Sequence, residues 1–229
     1  MEAQERTGTE DLGIYLTPTQ YLDSDHPSVG AFAEAAIAGA AEAVEQAVRL
    51  FYAVRDGFLY DPYSIQLTPE ASRASAVIAG GRGYCVSKAV VLAATARVVG
   101  IPSRLGFADV RNHLATERLR QAMGTDIFYY HGYTELLLAG KWVKATPAFN
   151  IEMCDKFGVL PLEFDGRSDA IFHPFDSTNR RHMEYVNDRG HRADLPFEEL
   201  CEALLRRYPI MASIQPDADF YAEAEAERR

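Results

Sequence analysis

Three side chains of this 229-residue chain are of types that together can perform nucleophilic acyl transfer: Cys85, His131 and Thr146, set 46 and 15 residues apart. Cys85 follows Gly81-Arg82-Gly83-Tyr84 and opens an apolar run (Val86, Ala89, Val90, Ala93, Ala94, Val98) that predicts a buried helix, stopped by Gly100 with Pro102 beyond it. In the first turn of a helix, unpaired backbone N–H groups and the positive end of the helix dipole favour a thiolate. The flanking glycines let other backbone approach closely. The same position is also compatible with an inert core cysteine.

The histidine belongs to a predicted hairpin. Phe128 to Leu138 reads as a strand, Ala139-Gly140 as a tight turn, and Lys141 to Ala145 as the returning strand, ended by Pro147. With a two-residue turn, Leu138 opposes Lys141, and the same register places Tyr133 opposite Thr146. By the two-residue period, His131 and Thr146 then share a face as diagonal neighbours, roughly 7–8 Å apart. A base with a hydroxyl beside it is what a thiol nucleophile needs. Taken alone, His131 reads first as a hydrogen-bonded sheet histidine; its pairing with a helix-borne Cys85 is what points to chemistry.

The elements that must position these groups follow in order. Gly13 to Leu16 reads as a short strand and Val29 to Ile37 as an alanine-rich helix; Val44 to Val54 carries an amphipathic helical stripe. Thr68-Pro69-Glu70 reads as a helix start leading to Gly80-Gly81, and His113 to Met123 as a polar helix after a strand over Arg104 to Val110. Between 149 and 195, Val159 to Phe164, Ala170 to Phe175 and His182 to Val186 are short strand candidates, with a turn at Asn187-Asp188-Arg189-Gly190. Pro196 to Tyr208 closes the chain's structured part as an amphipathic helix. The expected organisation is a disordered tail over 1–12, one domain over 13–212 and a charged, solvated tail over 213–229: an α+β arrangement, helices first and antiparallel sheet after.

Composition narrows the function classes. A net charge of −10 and a pI near 5.1 argue against a nucleic-acid binder; Arg180-Arg181-His182 is the nearest approach to a basic patch. Three scattered cysteines make no disulfide framework, and neither a secretory leader nor a membrane span is visible, so a cytoplasmic location is expected. His113 with His131, and His173 with His182, lack the spacing and cysteine company of a zinc site, so neither metal nor cofactor is expected. Cys154 and Cys201 read as packing residues, and Asp109 and Arg111 as either cleft-lining or solvated.

Gly83-Tyr84-Cys85, then Arg97, Gly100-Ile101-Pro102-Ser103-Arg104, His131-Gly132-Tyr133-Thr134-Glu135 and Lys141-Trp142 to Thr146-Pro147, strongly resembles the transglutaminase-like cysteine enzymes. The likeness runs from about Ala76 to Pro147. It implies a papain-like α+β fold with the cysteine on a core helix packed on an antiparallel sheet that bears the histidine. It implies amide chemistry through a thioester, with a peptide, protein or small amide as substrate, and leaves self-association open. Tyr60 and Gln66 are candidates for a second oxyanion donor. The family's third catalytic residue, an Asp before Pro, falls on Thr146, which can accept a hydrogen bond from imidazole but brings no charge. Three readings follow: Thr146 works more weakly, with Asn150 or another acid as replacement; the Cys–His pair works as a dyad; or the fold is a silent binding module.

Overall fold

The computed structural model of the protein describes residues 11–112, 116–171, 183–208 and 220–227. His113, His173 and His182, most of the predicted strand over 170–175 and residues 1–10 lie outside them.

The centre of the fold is α4 (Cys85–Val98), whose residues from Val86 to Ala96 are almost all buried, as its all-round apolar sequence requires. Around it pack α1 (Pro27–Ile37), α2 (Ala43–Gly57) and α3 (Ala74–Gly80). The helix expected at Thr68-Pro69-Glu70 begins later, at Ala74. Thr68 spends its hydroxyl on the Ala71 N–H and its carbonyl on Ser72, closing a turn instead. Gly13 to Leu16 is likewise no strand; Leu12–Tyr15 forms a 3-10 turn capped by Asp11. Two short parallel strands, β1 (Leu59–Tyr60) and β2 (Arg82–Gly83), tie the end of α2 to the approach of α4.

Against α4 lies an antiparallel sheet of four strands in the order β5-β4-β3-β6, made from β3 (Ser103–Asn112), β4 (Ile127–Leu138), β5 (Lys141–Ala145) and β6 (Met183–Arg192). The two-residue turn is as expected: Leu138 pairs with Lys141, and both Ala139 and Gly140 have positive φ. α5 (Glu117–Met123) sits between β3 and β4, capped by Thr116.

The second half departs from the sequence expectation. α6 (Ile151–Phe157) takes the place of irregular chain, and Val159 to Phe164 forms no strand. Asn187-Asp188-Arg189-Gly190 lies inside β6 rather than in a turn. On this edge strand the turn-forming residues are absorbed by two register shifts against β3. α7 (Phe197–Arg207) follows as predicted, but Phe220–Glu227 forms a further helix, α8, rather than a solvated tail. Phe220 is buried against Tyr60, Tyr63 and Phe157.

One polar group in the core is unusual. Lys88, fully buried on α4, donates from Nζ to Arg55 O and Phe58 O, both at 2.8 Å, and so satisfies carbonyls at the C-terminal end of α2. Burial pushes its pKa down to about 7, against the pull of Asp56. The unfolded lysine titrates near 10.4, so above about pH 7 the unfolded chain binds the extra proton and stability rises with pH. Lys88→Met should lower stability by about 2–4 kcal/mol, because two buried carbonyls lose their donor. It should also flatten the rise in urea midpoint between about pH 7 and 8.5 that this linkage gives the unaltered chain.

Candidate active site

Tyr84 caps α4 with backbone alone; no side chain satisfies the first N–H groups of the helix. The Cys85 sulfur sits against those groups, and the N–H dipoles of Gly132 on β4, of Val86 and of Cys85 itself favour its ionised form. The contact with β4 depends on glycine. A Cβ on Gly132 would lie 2.8 Å from Val86 Cα, so any other residue would force helix and strand apart. Thr134, next on the same face, donates its hydroxyl to Ala89 O at 2.9 Å and fixes the helix along the strand.

Cys85 and His131 line one largely apolar cavity of about 50 Å³, together with Tyr60, Tyr84, Leu204 and Tyr208. Both are buried, Cys85 at 6% and His131 at 3% exposure. The sequence pointed to a thiolate, but the structure makes a different balance. Burial pushes the Cys85 thiol up to about 11, and the three N–H groups pull it back only in part. At neutral pH the resting sulfur is a thiol.

Thr146 lies one residue beyond the β4–β5 ladder, whose last pair is Thr134 with Ala145. Glu135 opposes Lys144, and Lys144 Nζ lies 3.9 Å from Glu135 and 5.2 Å from the centre of the Tyr133 ring. That row, continued by its period of two, holds His131 on β4 and Thr146 after β5. Thr146 is 3% exposed; its N–H donates to Ala170 O, and its Oγ1 has no hydrogen-bond partner among the described residues.

Of the alternatives, Asn150 is engaged elsewhere: its Oδ1 accepts from the Tyr60 N–H at 3.0 Å and from the Tyr221 hydroxyl of α8 at 2.9 Å. Tyr60 lines the cysteine cavity, and burial raises its pKa well above the ordinary tyrosine value. Gln66 is exposed and lines a separate cavity of about 530 Å³ on the other side of Gly83 and Tyr84. Cys154 is buried and Cys201 half-buried. Among the described residues no cluster of three or more His, Cys, Asp or Glu could hold a metal, and no helix is long and apolar enough to cross a membrane. The sequence reasoning missed the cavity walls from the C-terminal half, Leu204 and Tyr208. Their only sequence signal is the apolar stripe of α7.

The remaining motif residues hold the scaffold. Arg97, buried at the end of α4, donates to Thr17 O, Ser103 O and Ala193 O, joining the N-terminal segment, β3 and the chain after β6. Arg104 is paired with Glu135 at 2.5 Å and stacked 4.0 Å over Trp142, which locks β3, β4 and β5 together.

The sequence model of the transglutaminase-like superfamily matches residues 30–147, just over half of the chain. The chain belongs to the transglutaminase-like superfamily. Its mixed α+β architecture, a cysteine-bearing core helix on an antiparallel sheet, is that of the superfamily. Among solved structures, one described as a putative cysteine protease from Cytophaga hutchinsonii is similar at 14% identity and a TM-score of 0.48, over 81% of this chain and 55% of that one. Another, described as a putative protease from Parabacteroides distasonis, is similar at 16% identity and a TM-score of 0.38, over 59% of this chain and 25% of that one. This transglutaminase-like chain thus spans about half the length of the first and a quarter of the second. No curated protein matches it.

Asn150→Ala should cost about 1–3 kcal/mol in urea unfolding, since it strands the buried Tyr60 N–H. It should leave the pH profile of Cys85 alkylation unchanged if the amide serves structure and not the imidazole.

Proposed function

We propose that this protein is a cysteine-dependent amide hydrolase or acyltransferase, with Cys85 as nucleophile, His131 as general base and Thr146 as the acceptor that orients the ring. The observation that carries this reading is that Cys85, at the start of α4, and His131, on β4, line the same cavity. Thr146, buried on the row that holds His131, is the group proposed for the third role; its Oγ1 accepts no hydrogen bond among the described residues, so the ring would have to turn toward it to be oriented.

Because burial keeps the sulfur protonated, His131 acts by taking the thiol proton as the sulfur attacks an amide carbonyl. The S–C bond forms while charge moves to the carbonyl oxygen, which would accept from the N–H groups at the start of α4 and from Tyr60, a wall of the same cavity. Collapse breaks the C–N bond. The imidazolium returns its proton to the leaving amine, and water or a second amine then resolves the thioester. The substrate class is a peptide, protein or small amide.

The test is site-resolved alkylation by iodoacetamide, read at Cys85 by peptide mass spectrometry. A lone thiol with a pKa of about 11 would react roughly 300-fold more slowly at pH 7 than one at 8.5. Cys85 should react faster than that limit, with an inflection between about pH 5 and 8 that vanishes in His131→Ala. Thr146→Asp should move the inflection upward by about 1 pH unit or more, through the charge it adds beside the ring. Cleavage, deamidation or amine incorporation in a peptide mixture should be lost in Cys85→Ala. A Cys85 rate indifferent to His131, with no amide turnover, would instead make the domain a silent binding module.

A further inference from the structure

Beside the site, β3 and β4 fall out of step. Ala108 pairs with His131 and Val110 with Phe128, so Tyr129 and Tyr130 together oppose Asp109. This is a β-bulge with one extra residue on β4. Tyr130 pays for it with φ of 57°, a left-handed conformation that side-chain-bearing residues seldom hold unless their surroundings enforce it.

Those surroundings are a buried polar lock. Asp109 Oδ1 accepts the Tyr130 N–H at 3.2 Å. Arg189 of β6 donates to both carboxylate oxygens of Asp109, at 2.6 and 2.9 Å, and its guanidinium lies 4.2 Å from the centre of the Tyr130 ring. The Tyr130 hydroxyl donates to Glu199 of α7, which also faces Arg192 at 3.6 Å. The Asp109 side chain is 6% exposed and that of Arg189 25%. A buried ion pair adds little net stability over apolar packing, so its value here lies in the geometry it enforces. A bulge bends its strand and re-aims the side chain beside it, and the residue beside Tyr130 is His131.

We infer that the Asp109–Arg189 pair is a positioning device: it holds the Tyr130 bulge and thereby aims the His131 imidazole into the Cys85 cavity. This rests on the Cys85–His131 reading. Neither Asp109 nor Arg189 lines that cavity, so both act through Tyr130, whose N–H Asp109 accepts and whose ring, over Arg189, is itself part of the cavity wall.

The experiment uses the full chain with Arg189→Gln, Arg189→Lys, Asp109→Asn and, as reference, His131→Ala. Two readouts are taken: the pH profile of Cys85 alkylation by iodoacetamide and the ring nitrogen shifts of His131 in ¹⁵N-histidine-labelled protein. Arg189→Gln and Asp109→Asn should lower the His131-dependent alkylation rate about tenfold or more, as a displaced catalytic group does. Both should also move the His131 ring shifts, while Arg189→Lys, which keeps a charge on Asp109, recovers part of each. Should Asp109→Asn fail to fold, the partly exposed Arg189 carries the test alone. If His131→Ala alters the profile but Arg189→Gln leaves rate and ring shifts unchanged, the positioning role is wrong and the Cys–His reading stands. If His131→Ala has no effect, that reading falls. The lock is then judged by the ring shifts alone: movement in Arg189→Gln upholds it, and its absence overturns it.

Discussion

The apposition of one helix against one strand with no side chain between them is the constraint on which the rest depends. Gly132 brings the backbone of β4 to the first turn of α4, so that a strand N–H reaches the Cys85 sulfur. Thr134 and Ala89 repeat the contact one step along. Because both elements sit in the core, the approach is set by close packing and not by loop geometry. Arg97 anchors the far end of the helix, and the Arg104–Glu135–Trp142 stack fixes the hairpin that β4 shares with β5. The motif residues outside the site are therefore the fixtures of this joint.

Burial at that joint has a chemical price. The apolar walls that exclude water from Cys85 also disfavour its ionised form, and the helix terminus only partly offsets them. Such a sulfur is inert until a base is brought to it in the right direction. The bulge at Tyr130, with its aspartate and arginine, lies where that direction is decided.

Much of this was legible in the sequence where local rules dominate. The all-apolar run after Cys85 could only be a buried helix, and the Ala139-Gly140 turn fixed the register that aligns the rows of His131 and Thr146. What was not legible depends on distant partners. Asn187 to Gly190 carry turn chemistry, yet pairing with β3 draws them into a strand with register shifts. α8 is acidic and polar in sequence, and is held by Phe220 stacking on Phe157 and by Tyr221 reaching Asn150. The Tyr130 bulge leaves no local signature, since no glycine marks its positive φ. The rise of the Cys85 pKa comes from walls contributed by distant segments, which the first turn of α4 alone does not reveal.

The apolar pocket around the sulfur is walled from both halves of the chain. Part of that wall is Tyr208, whose hydroxyl accepts from the Tyr129 N–H and donates to the Ile127 carbonyl. The pocket is therefore complete only once α7 has docked against β4, and a chain cut short before that helix would lose part of its wall.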